Sequence, residues 1–299
     1  MTPRFIVVLA GVLALQIVFI AVLNRDGDSL AAAKTAAALV PEARQAAVGD
    51  IDRLRVEGSD EARVELEKRD GQWRLPDYFD APADPAKLER VLKTLPQAKR
   101  GFAVATSAGA LDRFKVGDAA FERRLRFEKA GEALETIYLG TSAGLRKTHA
   151  RNSEDQAVYV VEFPVYDAPI EPKNWFRRDL LGLEAKDIEA VTLNGQGFEG
   201  ESAKEIIEKI AGLRVEGILG LEPKPEWKEA LTIQIERKDE TREWLVSRSE
   251  KTEGGNTLYV LKTSKHPRYM KLAYWDGDDL TAFVETPETS TGVEPKSGD

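Results

Sequence analysis

The feature that most constrains this chain is a run of nineteen uncharged residues near its N-terminus, Phe5 to Leu23, in which Gln16 is the only strongly polar member. At about 1.5 Å of rise per residue, a helix of this length spans roughly 30 Å, the thickness of the hydrocarbon core of a bilayer. The run therefore predicts one transmembrane helix that anchors a water-soluble body. The anchor residues are its large apolar members: Phe5, Ile6, Val7, Val8, Leu9, Leu13, Leu15, Ile17, Val18, Phe19, Ile20, Val22 and Leu23.

A cleaved signal peptide is the alternative interpretation of the same run. The apolar region of a signal peptide is about 7–15 residues long and ends at a small-x-small site. Here the run is longer, and it is followed by Asn24 and Arg25, which make a poor cleavage site. Alanine-rich sequence does follow from Ala31 onward, so cleavage further along the chain is the alternative to the uncleaved anchor that we predict.

The charges that flank the run do not decide its orientation. Positive charge favours the cytoplasmic side, but Arg4 and the amino terminus precede the run while Arg25 and Lys34 follow it. The chain contains no cysteine, which is compatible with either compartment and excludes a lipid-modified N-terminal cysteine.

Composition bounds the class of partner. Charged residues make up 31% of the chain, and the formal net charge is −8. Nucleic acids and anionic headgroups are bound by clustered lysine and arginine, so this balance argues against either as the main partner. The soluble part is long enough for one large domain or two modest ones.

Periodicity predicts a strand pair early in the soluble part. Polar and apolar residues alternate from Arg63 to Lys68, which is typical of a half-buried strand. Asp70-Gly71 is a hairpin turn signal, and Trp73 to Leu75 resumes the pattern as the returning strand. Asp84 followed by Pro85 predicts the start of a helix.

The second half of the soluble part repeats this plan. Strands are predicted around residues 125–127, 135–139 and 157–161, and again around 188–193, 231–235, 243–246 and 257–261, with a helix over 201–213. The helix faces also correspond at one constant spacing, Leu88, Leu92 and Leu95 matching Ile206, Ile210 and Leu213. The order strand, helix, strand, strand, strand thus occurs twice, which indicates a duplication.

The predicted fold class is α+β, with two tandem related repeats, each a mostly antiparallel sheet with a packed helix, on one N-terminal transmembrane helix. The predicted segments are a membrane anchor (1–24), an alanine-rich stalk that serves as a spacer (25–48), a first α+β repeat (49–183), a second (184–284) and a disordered tail (285–299).

A search for catalytic motifs finds little. The two histidines, His149 and His266, lack the spacing of metal-binding pairs and are predicted to be surface residues. Ser142 precedes His149 by seven residues, a weak candidate for a nucleophile and its base. The sequence shows no glycine-rich phosphate loop and no nucleophile elbow, and it predicts no catalytic residue, cofactor or metal.

Charged and aromatic clusters are the remaining candidates for binding. Asp276, Asp278 and Asp279 lack the ligand ladder of a calcium loop and are predicted to form a tight turn. Arg177 and Arg178 are predicted to be a surface pair, with a grip on phosphate or carboxylate as the alternative. Tryptophans are common at binding surfaces and in cores alike, and they occur in both halves: Trp73, Trp175, Trp227, Trp244 and Trp275.

Several of these patterns together resemble a bacterial family called domain of unknown function 4340. The resemblance covers roughly residues 50–280 and rests on Gly71-Gln72-Trp73-Arg74, the helix that starts at Asp84-Pro85, Tyr138-Leu139-Gly140 and Val158 to Val161. Leu111 to Val116 is a weakened version of the Leu/Tyr-Gly-Leu motif that members tend to carry.

The resemblance implies a single N-terminal membrane helix and a periplasmic accessory protein of the bacterial inner membrane. It also implies an ABC-type permease and a gliding-motility-type auxiliary protein as partners. We therefore expect a non-enzymatic accessory protein of an ABC-transporter-like complex, with an envelope module that binds glycan or peptide through aromatics between the halves as the alternative. An enzyme ranks third.

Overall fold

The structure is a computed structural model, and it describes residues 37–249 and 257–285. The predicted anchor residues, Phe5 to Leu23, and residues 286–299 of the predicted tail lie outside these ranges. Within the described ranges, no helix combines the length and the apolarity that are needed to cross a bilayer.

The described residues form five α-helices and fifteen strands. The helices are α1 (Glu42–Gly49), α2 (Pro85–Glu89, continued by a π-helical turn over Arg90–Thr94), α3 (Ala108–Arg113), α4 (Gly200–Gly212) and α5 (Tyr274–Glu285). The strands are β1 (Arg53–Gly58), β2 (Arg63–Arg69), β3 (Gln72–Leu75), β4 (Ala81–Pro82), β5 (Arg123–Lys129), β6 (Glu132–Gly144), β7 (Lys147–Asn152), β8 (Tyr159–Val161), β9 (Ile188–Leu193), β10 (Gln196–Gly197), β11 (Val215–Gly220), β12 (Lys228–Arg237), β13 (Thr241–Ser249), β14 (Leu258–Thr263) and β15 (Tyr269–Leu272).

The chain divides into two compact units, and neither is continuous in sequence. The first unit comprises the described residues up to Glu65 together with Ala86–Glu171. The second comprises Leu66–Pro85 and the described residues from Pro172 onward.

The first unit is built on antiparallel strands in the order β2-β1-β5-β6-β7-β8. Alternation of side chains along β1 buries Leu54 and Val56, which lie opposite Phe127 and Leu125 of β5. All four side chains are fully buried, so they form the core of this unit on one face of its sheet.

The residues that precede α1 also belong to this core. Leu39 and Val40 are fully buried, and their N–H groups donate to the carbonyls of Ala98 and Pro96 at 2.9 Å each. Val48 of α1 is buried as well. Residues 39–48, which we expected to be part of a spacer, therefore pack on the first unit, because their apolar side chains find a hydrophobic surface there.

The opposite face of this sheet is partly covered by the segment around α3. Val116 packs against Tyr138 and Val158 in a buried cluster. Gly140 lets this segment approach β6, since a Cβ at that position would lie 1.9 Å from the carbonyl oxygen of Phe114. Only glycine permits such a close approach of two backbones.

The second unit contains a seven-stranded antiparallel sheet in the order β10-β9-β12-β13-β14-β15-β11. Ile206 and Ile210 of α4 are fully buried, and the helix packs against β9. Asn194 and Gly195 have φ values of +49° and +80°, which confirms the predicted turn after β9.

A short ribbon of β2, β3 and β4 also contributes to the second unit. Asp70 and Gly71 form its turn with φ values of +51° and +77°, as predicted. The ribbon joins the later part of the unit where Ala83 pairs with Phe176 and the N–H of Asp84 donates to the carbonyl of Trp175 at 2.6 Å.

Helix α5 corrects one prediction. The Asp276 to Asp279 segment lies in the first turns of this helix, and the tight turn that we expected there is wrong. The two antiparallel sheets with few helices confirm the α+β class.

Candidate functional site

An open depression lies on the outer face of the seven-stranded sheet in the second unit. Its volume is about 590 Å³. It is lined by Thr192, Gly195, Glu229, Thr232, Ile233, Gln234, Glu243, Trp244, Leu245, Lys262, Thr263 and Ser264.

Strand alternation determines which side chains face the depression. Leu231, Ile233 and Ile235 of β12 are fully buried on the α4 side, so Thr232 and Gln234 point outward. The same alternation in the neighbouring strands places outward-facing side chains in two rows that run across the strands.

One row contains Thr232, Leu245 and Lys262, which are successive cross-strand partners. The other contains Thr192, Gln234 and Glu243. Leu245 is the only apolar member of these rows and is half-buried, so it forms an apolar floor among hydroxyl, amide and charged groups.

Hydrogen bonds fix part of the rim. The side-chain oxygen of Asn194 accepts from the backbone N–H of Thr232 at 2.8 Å and from its hydroxyl at 3.1 Å. The ammonium of Lys262 donates to the carbonyls of His266 at 2.6 Å and Thr263 at 3.3 Å. Preorganised groups of this kind lose little entropy when they bind a partner.

Charged groups also line the depression. Lys262 faces the same space as two carboxylates, Glu229 and Glu243. The groups that line it therefore suit hydrogen bonds to hydroxyl and amide groups of a ligand.

The two histidines are half-buried and held by local contacts. His266 Nε2 lies 2.8 Å from the carbonyl oxygen of Leu180, and burial lowers the pKa of the imidazole. His149 Nδ1 lies 3.0 Å from both the hydroxyl and the carbonyl oxygen of Thr141. The hydroxyl of Ser142 donates to the carbonyl of Gly144. Ser142 and His149 therefore do not form the hydrogen bond that a nucleophile and its base would share.

The acidic cluster is dispersed over α5. Asp279 forms an ion pair with Lys209, and the hydroxyl of Tyr259 donates to Asp278 at 3.3 Å. Burial raises the pKa of Asp276. Among the described residues, no three or more histidine, cysteine or carboxylate side chains are grouped so as to hold a metal ion.

Arg177 is engaged in a bidentate pair with Asp179, at 3.0 and 2.9 Å from its two carboxylate oxygens. This pair lowers the pKa of the Asp179 carboxyl, because the guanidinium donates hydrogen bonds to it. Arg177 and Arg178 are both exposed.

The tryptophans divide between core and surface. Trp175 and Trp244 are buried, whereas Trp275 is 64% exposed. Trp227 packs on Tyr269, with 5.4 Å between the ring centres. Sequence alone predicts the outward position of Gln234 by alternation, but not that this part of the sheet is concave.

The fold and this depression define an α+β protein with an open, mostly polar depression on one sheet face. The chain belongs to the family described as a domain of unknown function (DUF4340), whose model matches residues 73–271. This match confirms the family resemblance of the sequence. No curated protein matches the chain, and no solved structure does.

Proposed function

We propose that this chain is a membrane-anchored, non-enzymatic, extracytoplasmic accessory protein that assembles with an ABC-transporter-like complex of the bacterial inner membrane. The observation that carries the proposal is the depression on the second unit, because its lining suits contact with a partner. The apolar run from Phe5 to Leu23 supports the anchor. The family resemblance supports the class of partner.

The depression has the layout of a protein–protein contact. Such interfaces have an apolar centre within a polar rim that supplies hydrogen bonds. Leu245 supplies the centre, and Thr192, Gln234 and Glu243 lie in the adjacent row. A permease loop that presents one apolar side chain among polar ones would fit this arrangement.

The anchor makes even a modest contact effective. A protein held in the same membrane as its partner binds at a high effective concentration, so a small interface suffices for stable assembly. We infer that the anchor supplies proximity and that the depression supplies specificity.

We also propose that the two halves arose by duplication. In each half, a short helix with a buried apolar face precedes an antiparallel strand pair, α2 before β5-β6 and α4 before β12-β13. Leu88 and Leu95 are buried in the first case, and Ile206, Ile210 and Leu213 in the second. These shared features support the repeat.

The alternative function is an envelope module that binds glycan or peptide. The hydroxyl and amide groups of Thr192, Thr232 and Gln234 favour it, since they hydrogen-bond to sugar hydroxyls or peptide groups equally well.

Purification of the full chain in a mild detergent separates the two functions. Co-purification of an ATPase and a permease is expected, whereas a lone chain that retains glycan supports the alternative.

Gln234→Arg places a cation in the depression and is expected to reduce partner recovery several-fold. Thr241→Arg is the matched control, because Thr241 is an exposed, uncharged residue of the adjacent strand that does not line the depression. Equal recovery with both variants would contradict the role of the depression.

A further inference from the structure

Strand β8 leaves one edge of the first unit's sheet open. It is the last strand in the order, and Tyr159 and Val161 lie opposite Ala150 and Thr148 of β7. In an antiparallel sheet, the N–H and C=O groups of successive residues point alternately to one neighbouring strand and to the other. The backbone N–H and C=O of Val160 therefore point away from β7.

Val104 and Ala105 pair with Val158, the residue that precedes β8, but this pairing does not continue along β8. Val158 donates its N–H to the carbonyl of Ala105 at 2.9 Å and accepts from the N–H of Val104 at 2.8 Å. The same alternation directs the backbone groups of Val160 and Glu162 to this side, and no partner for them is found among the described residues. The position of a further strand next to β8 is therefore partly filled at Val158 and open at Val160 and Glu162.

A groove of about 610 Å³ lies beside this open edge. Val160, Glu162 and Gln97 are among the residues that line it. Three lysines also line it: Lys93, Lys99 and Lys147.

The groove is locally basic in a protein whose net charge is −8. Lys93 pairs with Glu89 at 2.9 Å, and Lys147 lies 3.8 Å from Glu162. Lys99 has no carboxylate partner among the described residues. Both carboxylates are largely exposed, and exposed ion pairs contribute little, so a carboxylate of a partner can compete with them.

We propose that an extended acidic segment of a partner protein binds here as an added β-strand. Its backbone would pair with Val160 and Glu162, and its carboxylates would face Lys99 and Lys147. Strand addition of this kind draws affinity from main-chain hydrogen bonds and specificity from alternate side chains. Phe102, which is 75% exposed in the loop between Lys99 and the Val158 bridge, offers the partner an apolar contact.

A second copy of the chain is a poorer occupant. Pairing of two β8 edges would bring two sets of three ammonium groups together, and lysine beside an edge strand disfavours such self-association. The proposal concerns the first unit alone, so it holds or fails independently of the depression on the second.

The test uses the full chain in nanodiscs of phosphatidylcholine. The probe is a fluorescent ten-residue peptide of alternating valine and glutamate, compared with one of alternating valine and lysine, and binding is read by anisotropy. We expect the acidic peptide to bind, to weaken as salt rises, and to bind at least about ten-fold more tightly than the basic peptide.

Val160→Pro is the informative variant. Proline removes an N–H that points away from β7, so the β7-β8 pairing is retained while the added strand loses a donor. A loss of about ten-fold in affinity is expected, whereas Val160→Ala, which keeps the N–H, should bind within a few-fold of the original chain.

If Val160→Pro fails to fold by circular dichroism, Lys99→Glu provides the second test. It should abolish binding of the acidic peptide, and Lys228→Glu, an exposed residue of the second unit, should not. Equal binding of the two peptides, no binding of the acidic one, or unchanged affinity in Val160→Pro or Lys99→Glu would overturn the proposal. A dimer that Val160→Pro dissociates would also overturn it, because the edge would then belong to a second copy.

Discussion

At the scale of single residues, Arg151 organises the first unit. Its guanidinium is almost fully buried and donates to the carbonyl of Val116 at 2.7 Å, to those of Ser153 and Asp155 at 3.2 Å each, and to the carboxylate of Asp118 at 2.6 Å. It thus satisfies three backbone acceptors that lie in two different loops.

Replacement of this arginine by methionine should therefore be costly. Arg151→Met keeps the length of the side chain but leaves those acceptors without their donor, and we expect a loss of about 3 kcal/mol in the free energy of unfolding. Asp118→Asn is the control, since Asp118 is largely exposed and the pair should contribute less than about 1 kcal/mol. Urea denaturation measures both, and similar losses would refute the role of the backbone contacts.

Glu135 should make stability depend on pH. Its side chain is buried, accepts from the N–H of Thr136 at 2.9 Å and from Asn152 at 3.1 Å, and lies 3.5 Å from Arg44. Burial outweighs these contacts and raises the pKa of the carboxyl above its usual 4.5. The folded state therefore holds this proton more tightly than the unfolded state.

This difference in proton affinity determines how the contribution of Glu135 to stability changes with pH. The contribution of Glu135 to stability is greatest below pH 4.5 and declines as pH rises through the raised value. Glu135→Gln removes the titration, so the stability of the original chain relative to this variant should fall between pH 4 and pH 7. Urea denaturation at successive pH values tests this, and a constant difference across the range would count against it.

At the scale of elements, a glycine sets the packing of α5 on β14. A Cβ at Gly277 would lie 2.0 Å from the Cγ of Tyr259, far closer than two carbons can approach. The contact involves the base of the tyrosine ring, which cannot move aside by a rotation of its far end.

Gly277→Ala should therefore displace α5 and destabilise the protein by about 2 kcal/mol, a typical cost of overpacking. Gly212→Ala is the matched control, because a Cβ there meets nothing within 4 Å at the end of α4. That change should be neutral or slightly stabilising. Thermal unfolding compares the two, and an unchanged midpoint for Gly277→Ala would show that the ring accommodates the methyl group.

The elements that sequence predicts well are those with a local signal. The alternation of β2, the Asp70-Gly71 turn and the Asn194-Gly195 turn all agree with the structure. Residues 140–151 gave no such signal, yet they hold the end of β6 and most of β7, because the buried side chains of β7 include small and polar ones such as Thr148 and Ala150. The concavity of the depression and the open edge of β8 depend on pairing between distant segments, so no local pattern could reveal them.

At the scale of the whole molecule, the main prediction is that the apolar run from Phe5 to Leu23 anchors the chain in a membrane. Deletion of residues 1–24 should convert a chain that resists carbonate extraction from membranes into one that is released. A phosphatase reporter at the C-terminus is expected to be active outside the cytoplasm. Release of the full chain by carbonate would contradict the anchor. An inactive phosphatase fusion, together with an active fusion to a reporter that works only in the cytoplasm, would contradict this topology.

The divided second unit has a consequence for how the protein is made. The ribbon of β3 and β4 leaves the ribosome before all of Ala86–Glu171, but its partners Trp175 and Phe176 follow only afterwards. At roughly 5–20 residues per second, the ribbon waits on the order of ten seconds for them. During that interval the part of the second unit that follows Glu171 is not yet synthesised. The second unit can therefore be completed only after the whole of Ala86–Glu171 has been synthesised.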